Sequence, residues 1–201
     1  MNLKEKYQKE IAPKMIAKFG YKNPMAAPRL IKVVINTGVG INAKDKGFID
    51  GAAESLKKIS GQKPVMTKAK QSISAFKTRK GMVVGAAVTL RNKRMYDFVE
   101  KLINITFPRI RDFRGIKPGQ VDQQGNLTVG LKEQVAFPEI KSDEVDNSIG
   151  LGICLSTSAK NREQGLEFFR LMGFPFGPEE AKAKKNRKNP PANVKKIKEP
   201  K

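Results

Sequence analysis

The chain has 201 residues, 39% of them hydrophobic, and carries 40 lysines and arginines against 19 acids for a formal charge of +21. That length supplies one good core or two small ones, and a field of that size draws in polyanions, nucleic acid or an anionic membrane, before any specific contact forms. Histidine is absent, which removes the commonest general base and the commonest metal ligand, so the expectation is a protein that is no enzyme and holds no metal or cofactor.

The N-terminus MNLKEKYQKE lacks both a signal-peptide apolar region and a transit composition, and no run of about 20 apolar residues occurs. A soluble protein that stays where it is made is expected. Leu3, Tyr7, Ile11, Met15 and Phe19 recur every four residues and mark one face of a first helix, which Pro13 should kink or delay. Leu30 to Asn36, LIKVVIN, is short and β-branched and runs into TGVG, so it reads as a buried strand leaving into a turn. Phe48, Ile49, Ala52, Ala53, Leu56 and Ile59 form the stripe of a second helix, and Gly61 lies just past its end.

Val83 to Arg91 reads as a strand, and Met95, Phe98, Val99, Leu102 and Ile103 as a third helix that Pro108 terminates. DQQGN at 122–126 is a turn signal with strands on either side or just after it. Ile149 to Ser156 is another apolar strand, in which Cys154 reads as a buried small hydrophobe. The lone cysteine permits no disulfide within the chain and suits a reducing cytosol. Leu166, Phe169 and Met172 belong to a closing helix capped by Gly173. These elements predict an α+β fold, a largely antiparallel sheet with helices packed on one face and the other face exposed and free to bind something, which the resemblance given below implies is RNA. One domain over 1–177 is expected, followed by a tail, 178–201, too rich in lysine and proline to fold alone and suited to non-specific RNA attachment.

The charge is unevenly spread. Residues 57–117 hold 16 cations and 3 acids, whereas 118–177 hold 5 and 8. Between Gly61 and Gly81 the chain reads GQKPVMTKAKQSISAFKTRKG, with six cations and no acid. GQKPVMTK lacks the second glycine of a phosphate loop. Lys68 with Lys70 and Lys77 with Arg79 are each two apart, which on an extended strand projects both from one side, with Gln71, Ser72 and Ser74 between them to fix geometry on a sugar–phosphate backbone. PRIRDFRG adds Arg109, Arg111 and Arg114 beside Phe113, suited to bidentate phosphate contact. With aromatics at only 7%, structured RNA fits better than an aromatic platform for single strands. A membrane fits poorly, because the tail has no apolar face.

KVVINTGVG at 32–40, LKKISGQKPVMTKAKQS at 56–72, VTLR at 88–91, PRIRDFRG at 108–115 and FPEI at 137–140, in that order and spacing, resemble the bacterial form of the large-subunit ribosomal protein five family. The resemblance runs from about Leu3 to Phe176 and leaves out the tail. It implies a structural, non-catalytic protein of the large ribosomal subunit in the cytoplasm, attached to 5S ribosomal RNA and large-subunit ribosomal RNA in the central protuberance. The recognition positions it implies are Asn36, Gln62, Ser72 and Thr89, short polar side chains able to address 2′-hydroxyls in a shallow groove, with Lys63, Thr67, Lys68, Lys70 and Arg91 around them. Read alone, Asn36 could equally close a strand and Gln62 sit in a solvated loop. The resemblance further implies a P-site transfer RNA contact at Lys77, Thr78, Arg79, Lys80 and Gly81, which read as a mobile finger, and a bridge to a small-subunit protein. Candidate bridge residues are Arg109, Arg111, Asp112 and Arg114, with the acids Asp143, Glu144 and Asp146 near Glu139. No homo-oligomer is expected. The competing reading is a free RNA chaperone or RNA-modifying protein using the same basic face.

Overall fold

The computed structural model describes residues 2–40, 45–141 and 148–177. Its centre is a five-stranded sheet of β1 (Leu30–Gly38), β2 (Val65–Lys68), β3 (Val83–Leu90), β4 (Leu127–Leu131) and β5 (Leu151–Thr157). The order is β2-β3-β1-β5-β4, and every neighbouring pair is antiparallel. Strand alternation decides the layers. In β1, Val33, Ile35 and Thr37 are buried, while Val34 and Asn36 between them are not, and in β5 Leu151, Ile153, Leu155 and Thr157 are buried in the same two-residue rhythm.

The four helices all contribute to the inner side of this sheet. α1 is built from Leu3–Lys6, a π turn Tyr7–Ile11, and Ala12–Phe19. α2 is Lys46–Ser60. α3 runs through Asn92–Lys101, a π turn Leu102–Thr106, and Phe107–Arg109, and α4 is Arg162–Met172. Ile11 and Met15, Leu56 and Ile59, Phe98 and Leu102, and Phe168 and Phe169 join Val33, Ile35, Val88, Leu90, Ile153 and Leu155 in one apolar cluster. Each such side chain contributes about 1.5–3 kcal/mol by leaving water. The expected α+β architecture, with the helices among the described residues packed on one face of the sheet, is therefore the one observed.

Pro108 departs from expectation while Pro13 disturbs its helix as expected, and one property explains both. Pro13 lies within α1 and Pro108 within the last turn of α3, so Pro108 does not terminate its helix. Proline has no N–H to donate, and its ring crowds the carbonyl four residues back. In both helices the turn just before the proline widens. The N–H of Ala12 reaches the Tyr7 carbonyl, and that of Phe107 reaches the Leu102 carbonyl, each five residues back. The widening also serves the stripe in α1. A four-residue spacing drifts about 40° per step on a regular helix, and one wider turn takes up part of that drift, keeping Leu3, Ile11 and Met15 buried.

α2 begins at Asp45, whose carboxylate accepts from the N–H of Gly47 at 2.9 Å and of Phe48 at 3.4 Å, and ends at Gly61 with φ of +66°. Gly173, at φ +97°, closes α4 as expected. Cys154 corrects the sequence reading. It alternates with Ile153 and Leu155, so it faces away from the core and is half-buried, taking a weak hydrogen bond from Thr128 Oγ1 at 3.8 Å.

The 122–126 turn feeds β4 and is preceded only by a single bridge, Val121 to Leu127. Asp122 Oδ1 accepts from the Asn126 N–H at 2.7 Å and Oδ2 from Asn126 Nδ2 at 2.9 Å, with Gly125 at φ +78°. Partial burial pushes the Asp122 carboxyl up, but the hydrogen bonds from Asn126, Gln124 and Gly125 outweigh it and hold the pKa below the usual carboxylate value. A depressed carboxylate stabilises the fold above its unfolded pKa and loses that contribution as pH falls through the folded one. The protection factor of the Asn126 amide, its intrinsic exchange rate over the observed rate at the same pH, should therefore fall in that acid range in the native chain and stay constant there in Asp122→Asn. An acid response surviving in Asp122→Asn would assign it to another group.

Candidate nucleic-acid interface

Residues paired across antiparallel strands point to the same face, so the register spells out the surface opposite the helices. One row crosses all five strands: Val65, Ala87, Asn36, Gly152 and Gly130. The row beside it is Thr89, Val34, Cys154 and Thr128, and on the other side lie Thr67, Gly85 and Gly38. Apart from Val34 and Val65 these are small residues, and Asn36 stands at the centre of the central strand.

Two of the polar side chains on this face lie over glycine. A Cβ at position 152 would collide with Asn36 Oδ1, so the Asn36 carboxamide occupies the space above Gly152. A Cβ at position 85 would come within 2.9 Å of Thr67 Oγ1. Glycine at these positions lets an amide and a hydroxyl lie across the sheet instead of standing up from it. Nothing in the chain order announces this, because Asn36 and Gly152 are remote in sequence and meet only through strand register.

The other expected RNA-binding residues border this floor. Thr89 is exposed on β3, and Arg91 is exposed at the start of α3. Gln62 is half-buried just after Gly61, where Ser60 Oγ both donates to the Gln62 carbonyl and accepts from its N–H, each at 3.3 Å, and Lys63 beside it is exposed. Lys68 ends β2, while Lys70 lies beyond it and Lys77 has φ of +52°. The four cations therefore do not form two extended edges. The chain instead folds residues 69–82 into a finger prolonging the β2–β3 hairpin. Its rungs are Ala69 N–H to the Met82 carbonyl at 2.8 Å, Gly81 N–H to the Ala69 carbonyl at 2.9 Å, and reciprocal bonds between Ile73 and Thr78 at 3.1 and 3.2 Å. Ser72 belongs to this finger, its Oγ accepting from the Lys80 N–H at 2.9 Å. Thr78 is partly covered, and Lys77, Arg79, Lys80 and Gly81 are exposed.

The candidate bridge residues gather at the opposite edge of the sheet. β2 and β4 are the two edge strands, separated by four strand spacings, roughly 19 Å. Arg109, Arg111, Asp112 and Arg114 are exposed and line a cleft of about 580 Å³ against Val129, Gly130 and Leu131 of β4. Asp112 has φ of +54°, and Phe113 stacks on Phe107 at 5.1 Å, anchoring the loop. Asp143, Glu144 and Asp146 lie outside the described residues. Glu139 does not stand free beside them: its Oε1 is 2.5 Å from Lys101 Nζ, which also donates to the Ile59 carbonyl at 2.9 Å.

A model of ribosomal protein L5 matches residues 23–79, and a second model, of the C-terminus of the same ribosomal protein family, matches 83–176. The chain is 51% identical over 174 residues to the large ribosomal subunit protein uL5 of Desulfatibacillum aliphaticivorans, covering 87% of this chain and 97% of that protein. It is 52% identical over 174 residues to the protein of that name from Fervidobacterium nodosum, covering 87% and 95%. The chain belongs to the ribosomal protein L5 family. The join between the two family models falls at residues 80–82, on the finger, and strands from both share the one sheet. Membership of this family makes the protein a structural component and not an enzyme.

The glycine seat is directly testable. An alanine in place of a strand glycine gains roughly 0.5–1 kcal/mol of backbone entropy, so Gly152→Ala should remain folded and at least as resistant to urea. The Asn36 side-chain amide resonances should nevertheless shift, because the added methyl evicts the carboxamide. Unmoved resonances would show that Asn36 does not rest there.

Proposed function

We propose that the protein is a structural component of the large ribosomal subunit, working in the cytoplasm, that holds 5S ribosomal RNA against the open face of its sheet and attaches it in the central protuberance. The observation carrying this reading is a helix-free surface spanning five strands, floored by glycine and alanine, with Asn36 at its centre and Thr67 and Thr89 on it. A floor of that kind lets a ribose–phosphate backbone come close, and short amides and hydroxyls address 2′-hydroxyls and phosphates without needing base edges. Gln62, Lys63, Lys68, Lys70, Ser72 and Arg91 border it and supply charge and further polar contacts, also to large-subunit ribosomal RNA. The names of the relatives, large ribosomal subunit protein uL5, support the coarse part of this reading.

Two further contacts extend it. The finger, with Lys77, Thr78, Arg79, Lys80 and Gly81, reaches beyond the sheet edge and is assigned to P-site transfer RNA. The arginine-lined cleft at the β4 edge is assigned to a small-subunit protein across the intersubunit bridge, and the acids Asp143, Glu144 and Asp146, outside the described residues, are assigned to the same partner from their charge. Residues 178–201, with nine cations and three acids, serve as a basic attachment to ribosomal RNA.

Binding of purified 5S ribosomal RNA should weaken steeply with salt, as several counterions are released. Asn36→Ala, Gln62→Ala and Thr89→Ala combined should cost at least about tenfold in affinity at physiological salt with little change in the salt slope, since none carries charge. Lys68→Gln should instead reduce the slope by about one. Unchanged affinity in the triple variant would remove the RNA from this face. Sedimentation of the protein with the soluble fraction rather than the large subunit would favour the free-chaperone reading.

A further inference from the structure

We propose that Phe76, at the tip of the finger, is a stacking surface for one exposed nucleobase face of the RNA that the finger touches. The inference rests on the finger as a transfer RNA contact and deepens it, from an electrostatic reach to a contact with a defined ring.

Eleven phenylalanines occur in the chain, and Phe76 is the only one classed as exposed, with 72% of its surface open. It stands apart from the ring contacts that join Phe98 to Phe137, Phe107 to Phe113 and Phe174, and Phe168 to Phe169. A single exposed apolar side chain is ordinary, as Met25 and Val65 are here; what sets Phe76 apart is the hydrogen-bonded turn built beneath it. Ser74–Phe76 form one 3-10 turn, closed by the Lys77 N–H on the Ser74 carbonyl at 3.0 Å and by Lys77 in the left-handed region at φ +52°. The Ile73–Thr78 bridge locks the base of this turn. The ring is thus held outward on a hydrogen-bonded tip.

The surroundings choose the partner. No acid occurs between Gly61 and Gly81, and Lys77, Arg79 and Lys80 follow the ring directly. Ser72, Ser74, Lys77, Thr78, Arg79 and Met82 line a hollow on the finger, cations and hydroxyls suited to phosphate. An aromatic face beside phosphate-binding groups is the pairing that single exposed bases require, and stacking asks for no particular base. A membrane would need a broader apolar face than Phe76 with Ile73, and a basic protein partner would be repelled by the same lysines.

The chain contains no tryptophan, so Phe76→Trp places a single fluorophore at the tip of the full-length protein. Titration with an unmodified transfer RNA transcript should quench it, and Phe76→Ala should bind that RNA about tenfold more weakly while Phe76→Tyr stays close to the native chain. Binding of 5S ribosomal RNA should be unaffected in all three. If transfer RNA binds with no quenching and Phe76→Ala costs nothing, the stacking assignment is overturned and the electrostatic contact stands. If transfer RNA fails to bind the native chain but a hairpin RNA with an unpaired loop quenches, the transfer RNA reading falls and stacking stands. Failure of both RNAs overturns both.

Discussion

Everything in this molecule follows from a sheet that is dry on one side only. Because side chains alternate along each strand, a slip of one residue in register would move Val33, Ile35, Ile153 and Leu155 into water and bring Asn36 and Cys154 into the core. The penalty for that exchange pins the register. The register in turn lines up Val65, Ala87, Asn36, Gly152 and Gly130 across five strands. The polar surface is therefore positioned by the apolar one behind it, and the precision of the outer face is inherited from packing at the inner face.

The strand order gives this platform two unlike edges. At one, β2 and β3 prolong into a finger whose backbone bonds close on each other, so its cations are carried outward on a hairpin. At the other, β4 is faced by the arginine loop that follows α3, held down by Phe113 on Phe107. Lys101 secures the region between: it joins the end of α2 at the Ile59 carbonyl to Glu139, and lies over the rings of Phe98 and Phe137 at 5.6 and 5.8 Å. The face and both edges are thus held by one core.

Local chemistry made most of the fold legible in the chain. The β-branched run of β1, the stripe of α2 with Gly61 behind it, and Gly173 after α4 are each short-range signals, and the structure follows them. Long-range geometry was not legible. The spacing of Lys68, Lys70, Lys77 and Arg79 suggested extended edges, but a turn at Ser74–Phe76 intervenes. Cys154 looked apolar by its neighbours and faces outward by its phase. The π turn of α1 answers to the proline and to the helix stripe together, and neither alone predicts it. Charge alone marks Lys68, Lys70, Lys77, Arg79, Arg109, Arg111 and Arg114 as candidates, whereas Asn36, Gln62 and Thr89 enter only through the resemblance to a family; spacing by itself leaves Asn36 and Gln62 as ordinary turn and loop residues, and what distinguishes Asn36 is a glycine more than a hundred positions away.

That glycine gives the open face an unusual kind of vulnerability. A surface floored by glycine and alanine around one central amide has little apolar bulk for truncation to remove, so cutting Val34 or Val65 back to a methyl group would pass almost unnoticed. Growth is what it cannot absorb: bulk added along the Gly130–Gly152–Ala87 row would raise the floor and hold any flat surface off its neighbours at once. Away from Asn36 and its polar neighbours, the mutational profile of this floor should consequently look inverted, tolerant of loss and intolerant of gain, with bulk rather than charge as the forbidden property.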